Sequence, residues 1–549
     1  MKNLKTFMLS LAVTVMVLAV ACPAMAEYYN LFGKDLAVEG FIRQEFAFNT
    51  NHSNPDKTNQ TGLHSAYQMW YLDTNLALSN KLEIRSIFRL WGDMIYALRS
   101  DHGHFERYFE SSRNNLQWDD NFNQILREFY VTYYGDKFLL RAGKQQIGWG
   151  EADGLRLMDV INPLDMRRDF GFYDTEGYQE VRIPKWMIKA EFYPGNIWNF
   201  YDIGVELYWN PGDVQNFGHL LPPYADTHEV GGWMTGQQPN QVPKQWGTWS
   251  VHTSAVPLPV RFYEKERTTA LRNSEYGARI KFNYKSTFMT LNYWQGFETE
   301  SVNLKFRGVN PDGAGWVFPI PGVFPPFPAA IRMDRIYPRM RVAGFTLSRE
   351  LYGVGKVVRQ VANPVLRVEA LYKFEQKFNT AQMAPDMLQM EKYDQIRYMI
   401  GFDWSMRMKW INPSKNVFVS GQFFHYHFLN YEGGLKRPRV VPLYVWTYPK
   451  NQFYTSLLLR TEYCNENFVP SVLAVWDHHT STSFIKTKFD FKIGNHWRPQ
   501  IGYLWIKRNS SHTQPLFGMP GMPLVTDNRK SFAIFHDRDQ AWVRIEYQF

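Results

Sequence analysis

Two cysteines are all that 549 residues contain, and Cys22 lies in a segment that reads as removable. With Cys464 alone remaining, no disulfide can form within the mature chain and no thiolate metal site can be built. Also missing is any apolar run after residue 26 that approaches the ~20 residues of a membrane helix. A mature chain that crosses a bilayer must therefore cross as strands, because in hydrocarbon only helices and closed sheets pair every backbone N–H and C=O. Charge of one sign is scarce: the formal balance is +9, and losing Lys2 and Lys5 leaves +7. With no zinc-knuckle, basic-helix or RNP-like pattern beside it, so mild an excess argues against nucleic acid. No linker, low-complexity tract or long repeat divides the chain. A Gly-x-Ser-x-Gly elbow, a phosphate loop and a haem-attachment Cys-x-x-Cys-His are absent too, so no catalytic residue, cofactor or metal is assigned.

What is present begins with an export signal over residues 1–26. Lys2 and Lys5 are its basic start, Phe7 to Ala21 its apolar stretch, and Ala24-Met25-Ala26 a small-x-small cleavage site before Glu27. Residues 27–549 then read as one domain. Aromatic residues make up 17% of the chain, a share that suits interfacial girdles. At the far end Ala541, Val543, Ile545, Tyr547 and Phe549 alternate with Gln540, Arg544, Glu546 and Gln548. Such period-two alternation marks a strand wetted on one face only. An aromatic last residue on that strand resembles the closing strand of bacterial outer-membrane barrels.

Strand-like segments recur from residues 35–48 to 534–549, eighteen in all, with sixteen as the alternative count. Short connections made of turn residues alternate with long ones. Asn80, Gly135-Asp136, Pro194-Gly195-Asn196, Lys285, Asn412-Pro413-Ser414-Lys415, Asn465-Glu466-Asn467 and Gly494-Asn495-His496 are tight turns. Long loops are expected near 49–65, 97–123, 148–181, 211–274, 298–334, 377–392, 431–450 and 509–533. This parity predicts an all-β, antiparallel transmembrane barrel with short periplasmic turns and long extracellular loops, located in the bacterial outer membrane. Residues 350–363 are the one long periplasmic turn.

Alternation also assigns faces. Ile396, Tyr398, Ile400 and Phe402 oppose Arg397 and Asp403; Leu366, Val368, Ala370, Tyr372 and Phe374 oppose Arg367, Glu369, Lys373 and Glu375. Charged rows must face a polar lumen, since an arginine toward lipid at mid-bilayer costs roughly 2–4 kcal/mol. Arg85, Arg89, Arg127, Arg141, Arg397 and Lys488 are the candidate lumen charges. They line a solute pathway, or else pair across neighbouring strands to hold the wall.

After the fifth strand comes Arg141 to Asp169, RAGKQQIGWGEADGLRLMDVINPLDMRRD. Gly143, Lys144, Gln145, Trp149, Gly150, Glu151, Asn162, Pro163 and Asp165 form a Gly-Lys-Gln…Trp-Gly-Glu…Asn-Pro-x-Asp pattern. It resembles that of a proteobacterial outer-membrane barrel family known as a domain of unknown function, and more distantly is similar to alginate-export and anion-selective porins. The resemblance implies transport across the outer membrane, of lipid-like or aromatic compounds among others, and fixes no substrate. Read physically, Gly148, Gly150 and Gly154 allow a sharp turn off the strand. Folded into the lumen, the loop would bring Glu151, Asp153, Arg156, Arg167 and Arg168 to a constriction.

Two other loops are apolar for segments facing water. One holds Trp316, Phe318, Phe324 and Phe327, the other runs from Leu516 to Leu524, and the stretch near 211–262 adds Trp233, Trp246 and Trp249. They would either capture a hydrophobic molecule or pack as a lid. His425 and His427, with Asp477-His478-His479 nearby, lack a third ligand placed by spacing. The sequence thus predicts a porin-like channel or facilitator for a small anionic or hydrophobic solute. Its expected partners are outer-membrane lipid and lipopolysaccharide, and the barrel-assembly machinery through the strand ending at Phe549. A scaffold barrel for a periplasmic or extracellular lipid- or electron-transfer assembly is the rival reading, and a lipid-acting barrel enzyme the third.

Overall fold

The computed structural model describes residues 27–31, 33–50, 62–94, 125–153, 155–164, 180–213, 260–264, 270–299, 303–309, 330–360, 362–380, 390–433, 436, 438–440, 446–507, 513–515, 524–526 and 539–549. The signal segment, Gly154, Asp165, Arg167, Arg168, the Trp316–Phe327 aromatics, the 516–523 stretch and Trp233, Trp246 and Trp249 lie outside the described residues.

Eighteen antiparallel strands form a closed ring. They are β1 Lys34–Asn49, β2 Gly62–Ser79, β3 Leu82–Asp93, β4 Leu126–Tyr134, β5 Phe138–Gln145, β6 Lys185–Ile197, β7 Phe200–Asn210, β8 Glu275–Tyr284 and β9 Thr287–Phe297. The second half comprises β10 Arg339–Glu350, β11 Val365–Asn379, β12 Met390–Met406, β13 Val417–Phe428, β14 Asn451–Arg460, β15 Phe468–Asp477, β16 Thr482–Phe491, β17 Gln500–Lys507 and β18 Gln540–Gln548. Each pairs with the next, and the ring closes where Phe41 to Asn49 of β1 run against Gln548 to Gln540 of β18. Closure leaves no edge along the membrane-spanning wall. An extra strand, Glu27–Leu31, pairs with β1 beyond the point where β18 ends, Glu27 against Val38 and Leu31 against Lys34.

Exposure alternates in the sense opposite to that of a water-soluble sheet. In β18 Val543 and Ile545 are 38% and 45% exposed, while Arg544 and Glu546 between them are 8% and 7%. Apolar residues outside and charged ones inside require lipid around the ring and water within it. Tyr133, Phe138 and Phe192 crowd the outer face at the short-turn end, and Trp186, Trp209 and Tyr276 at the other. These are the interfacial girdles, and the protein is an outer-membrane barrel. Among the described residues no helix is long and apolar enough to cross a membrane.

Several local expectations are corrected. Pro194-Gly195-Asn196 is not a turn: β6 runs through it to Ile197 with register shifts around Gly195, and the turn falls at Trp198 and Asn199. A bulge absorbs the missing proline donor and the positive φ of glycine within the ladder. The strand expected from residue 335 starts at Arg339, because Pro338 cannot donate to a ladder. Ala330–Ile336 instead pairs with Asn303–Val309 and Val260–Glu264 in a separate three-stranded sheet. Glu375 leaves the lumen row at a bulge, with φ 48°, and forms ion pairs with Arg341 and Lys392. Tyr547 is buried rather than lipid-facing, since the rings of His496 and Trp497 cover it at 4.9 and 5.0 Å.

Candidate permeation pathway

The chain leaves β5 as a strap, residues 146–164, and returns to β6 through residues 180–184. Its first fixed point is Gly143. There φ is 137°, and a Cβ would lie 2.2 Å from the Phe129 carbonyl oxygen, so only glycine fits. Gly148 and Gly150, expected to make the turn, are not in the positive-φ region. Lys144 and Gln145, both buried, tie the strand end to its neighbours: Lys144 Nζ donates to Leu126 O at 2.9 Å, and Gln145 Nε2 to Met187 O at 3.1 Å.

Asn162 then closes the strap at its base. Its Oδ1 accepts the Ile147 N–H at 2.9 Å and its Nδ2 donates to Ile183 O at 2.7 Å. The adjacent Pro163 carbonyl accepts the Ile183 N–H at 2.8 Å. Outgoing limb, returning limb and β6 entry are thus clipped together by one fully buried amide. Arg156 donates to the carbonyls of Asp159 and, at 2.9 Å, Asn162, while Asp159 Oδ2 receives Arg182 Nε at 2.7 Å.

From this base the strap crosses to the far wall. Trp149 is buried and donates Nε1 to Glu206 Oε1 of β7 at 2.7 Å, edge-on to Tyr208. Glu369 of β11 accepts the backbone N–H groups of Glu151 and, at 3.3 Å, Met158. Arg367 donates to Glu151 O and Asp153 Oδ2 and also binds Asp403 at 2.7 Å. Gln422 of β13 holds Asp153 through its backbone N–H, 3.1 Å, and its carboxylate, 3.0 Å. Thr346 of β10 donates to Glu151 Oε1 at 3.3 Å.

Beneath these bonds the strap buries Ile147, Trp149, Leu157, Met158, Val160 and Ile161 against inward-pointing Tyr208, Trp294, Met340, Val342, Leu371, Met399 and Phe424. Each such side chain is worth about 1.5–3 kcal/mol. The lumen is therefore not polar throughout: from β6 to β14 its wall carries an apolar lining that the strap covers.

Opposite this lining stands the wall formed by β15–β18 and β1–β5, whose inward charges Arg43, Glu45, Arg89 and Arg544 are themselves buried. Arg43, which sequence reasoning did not single out, reaches Glu546 at 2.7 Å and Glu180 at 2.8 Å, and lies over the Phe41 ring, itself stacked on Tyr71 at 4.8 Å. Arg544 pairs with Glu45 at 2.7 Å. Arg89 donates to the Glu180 carbonyl at 2.6 Å and Arg127 to that of Arg182 at 3.0 Å, so both hold the returning limb. Arg85 pairs with Asp73 at 2.5 Å and Lys488 with Asp490 at 2.7 Å. Arg141 binds Thr132 at 3.2 Å and covers Tyr130; Arg397 binds Gln395 at 2.8 Å and covers Tyr426. Of the candidate set, then, Glu151, Asp153 and Arg156 lie on the strap, Arg89 and Arg127 bind its return, and Arg85, Arg141, Arg397 and Lys488 engage the wall. His425 and His427 share Asn451 Oδ1, at 2.9 and 2.6 Å; among the described residues no group of three or more acids, histidines or cysteines could hold a metal.

The pattern of residues 143–163 supplies the strap's anchors. A family described as "Protein of unknown function (DUF1302)" matches residues 7–549. The chain belongs to the DUF1302 family. Solved structures similar to this DUF1302 barrel include OccAB3 of Acinetobacter baumannii, with a TM-score of 0.41 and 9% identity, covering 94% of this chain and 99% of that one. The outer membrane channel DcaP of Acinetobacter baumannii gives 0.38 at 9% identity, covering 96% and 100%. An anion-selective porin from Comamonas acidovorans gives 0.34 at 8%, covering 94% and 100%. No curated protein matches the DUF1302 chain.

Glu180 is the acid of the returning limb, paired with Arg43 of the wall at 2.8 Å. Burial pushes its carboxyl up, but the Arg43 guanidinium beside it more than reverses this and brings it to about 2. A depressed native pKa stabilises above the unfolded value, roughly 4, and that stabilisation fades as pH falls through about 2. Protonation of Glu180 should therefore leave single-channel conductance unchanged on titration from neutrality down to about pH 4. A conductance step in that window that disappears in Glu180→Gln would refute this assignment.

Proposed function

We propose that this DUF1302 barrel is a passive facilitator whose solute moves between the strap and the wall of β15–β18 and β1–β5, with anions preferred. The observation that carries the reading is the gathering of Arg43, Arg89 and Arg127 around the returning limb at Glu180 and Arg182. Arg89 meets a backbone carbonyl there, which satisfies an N–H donor without cancelling charge. Fixed positive charge beside a water-filled constriction favours anion entry and sets a barrier to cations. Phe41, Tyr71 and Tyr130 interleave with the arginines, so an anion with a flat apolar body fits the wall better than a fully hydrated one.

The same reading places lipopolysaccharide and lipid around the outer face, and the assembly machinery at the strand ending in Phe549. Reversal potentials across planar bilayers under a salt gradient test the ion preference. The expected sign is that of anion selectivity, weakened in Arg89→Gln. Cation selectivity, or no conductance together with no solute uptake, would sink the proposal. A silent barrel that co-purifies with a stoichiometric periplasmic partner would favour the scaffold instead.

A further inference from the structure

The long periplasmic turn 351–364, between β10 and β11, and the turn 407–416, between β12 and β13, form one built surface. Leu351 donates its N–H to Pro364 O at 2.9 Å, and Asn363 Oδ1 accepts the N–H groups of Gly353 and Gly355, each at 3.1 Å. Between the turns, Trp404 Nε1 donates to Ala362 O at 2.8 Å and the Arg407 N–H to Gln360 Oε1 at 2.6 Å. Trp404 continues the outward row of Ile400 and Phe402, both exposed toward lipid. The long turn therefore leans on the outside of the wall, where the spanning strands end, and not across the pore.

On this support stand large apolar side chains with nothing over them: Tyr352 is 67% exposed, Val357 83% and Trp410 83%. Lys356, Arg359 and Lys409 are exposed among them, and neither 351–364 nor 407–416 contains a single aspartate or glutamate. A rigid patch that is apolar and purely cationic, set beside the lipid-facing wall at head-group depth, matches an anionic lipid surface in both hydrophobicity and charge. Trp410 and Tyr352 have the amphipathic rings that settle at such an interface.

We propose that this platform binds anionic glycerophospholipid of the inner leaflet, with Lys356, Arg359 and Lys409 on the phosphates and Tyr352, Val357 and Trp410 in the acyl boundary. Binding here holds the barrel at one depth on the β10–β13 side and enriches anionic lipid around it. It is independent of what the pore conducts.

The full barrel, exchanged into nanodiscs of phosphatidylcholine with a minor share of phosphatidylglycerol, should retain phosphatidylglycerol preferentially when released for native mass spectrometry. Charge reversal at Lys356→Glu, Arg359→Glu and Lys409→Glu should reduce that preference by at least about tenfold. The same reversal at Lys34, Lys137 and Lys492, on other periplasmic turns, should leave it intact. Val357→Asp, which keeps all three cations, should also weaken retention. No preference in the unaltered barrel, or an equal loss in the control triple, would overturn the proposal. So would protection of residues 352–360 from hydrogen exchange by a soluble periplasmic extract in neutral nanodiscs, with no effect of phosphatidylglycerol.

Discussion

With Asn162 replaced by alanine and Glu369 by leucine, the barrel is expected to stay folded while its single-channel conductance rises severalfold. Asn162 is where the strap is clipped at its base and Glu369 where it is moored to the opposite wall, on backbone groups in both cases. The alanine leaves the Ile147 N–H and the Ile183 carbonyl without their partner, and the leucine does the same to the Glu151 and Met158 N–H groups. Each orphaned group costs about 1–3 kcal/mol while it stays buried. Moving the strap into lumen water relieves all four at once, and the ring of strands, which closes without the strap, does not depend on them. Leucine at 369 also removes a buried carboxylate without leaving a cavity, so the wall itself is spared. The measurement pairs planar-bilayer conductance with heat-dependent gel mobility as the check on folding. An unchanged conductance in a folded double variant would mean that the apolar contacts of Trp149, Leu157 and Ile161 hold the strap unaided.

The ring was legible because each spanning strand carries its own record. Water on one face and lipid on the other force period two within the segment, and turn residues mark its ends. Strands 275–284 and 468–477 carry their limits in the sequence, since Ser274 and Lys285 bound one, Asn467 and His478 the other. Where backbone chemistry is ambiguous the sequence does not decide, as at Pro194-Gly195, which a hairpin and a bulge use alike. The strap's anchors were half legible. Gly143, Lys144, Gln145, Trp149 and Asn162 stood out as a pattern, but their partners did not: Glu369 meets Glu151 across a separation of 218 residues, and Gln422 meets Asp153 across 269. Alternation places Glu369 inward and says nothing about what it meets there. Nor does it distinguish a lumen row such as Met340 and Val342, apolar because a strap covers it, from a lipid-facing row.

Removing Phe549 is expected to lower the yield of folded barrel sharply while leaving the conductance of the molecules that do assemble unchanged. The residue closes the ring at its periplasmic end: its N–H donates to Gly40 O and its carbonyl accepts the Gly40 N–H, both at 2.9 Å. The ring of Phe549 lies over Gly40, where a Cβ would come within 2.8 Å of it and within 2.4 Å of the Tyr71 carbonyl oxygen. Two hydrogen bonds at ~1 kcal/mol each and a partly buried aromatic ring at roughly 1.5–3 kcal/mol are concentrated where β1 and β18, separated by the whole chain, must find each other. Closing so long a loop gains nothing from local contacts, so the last pair bears on assembly rather than on the finished pore. Gly40→Val should reproduce the defect from the other strand, because the clash with a backbone oxygen cannot be relieved by a side chain turning aside. Neither change alters a residue of the strap or of the proposed solute route. Normal membrane insertion of both variants would show that closure is driven by the ladder from Phe41 to Asn49 alone, and that the terminal aromatic is dispensable.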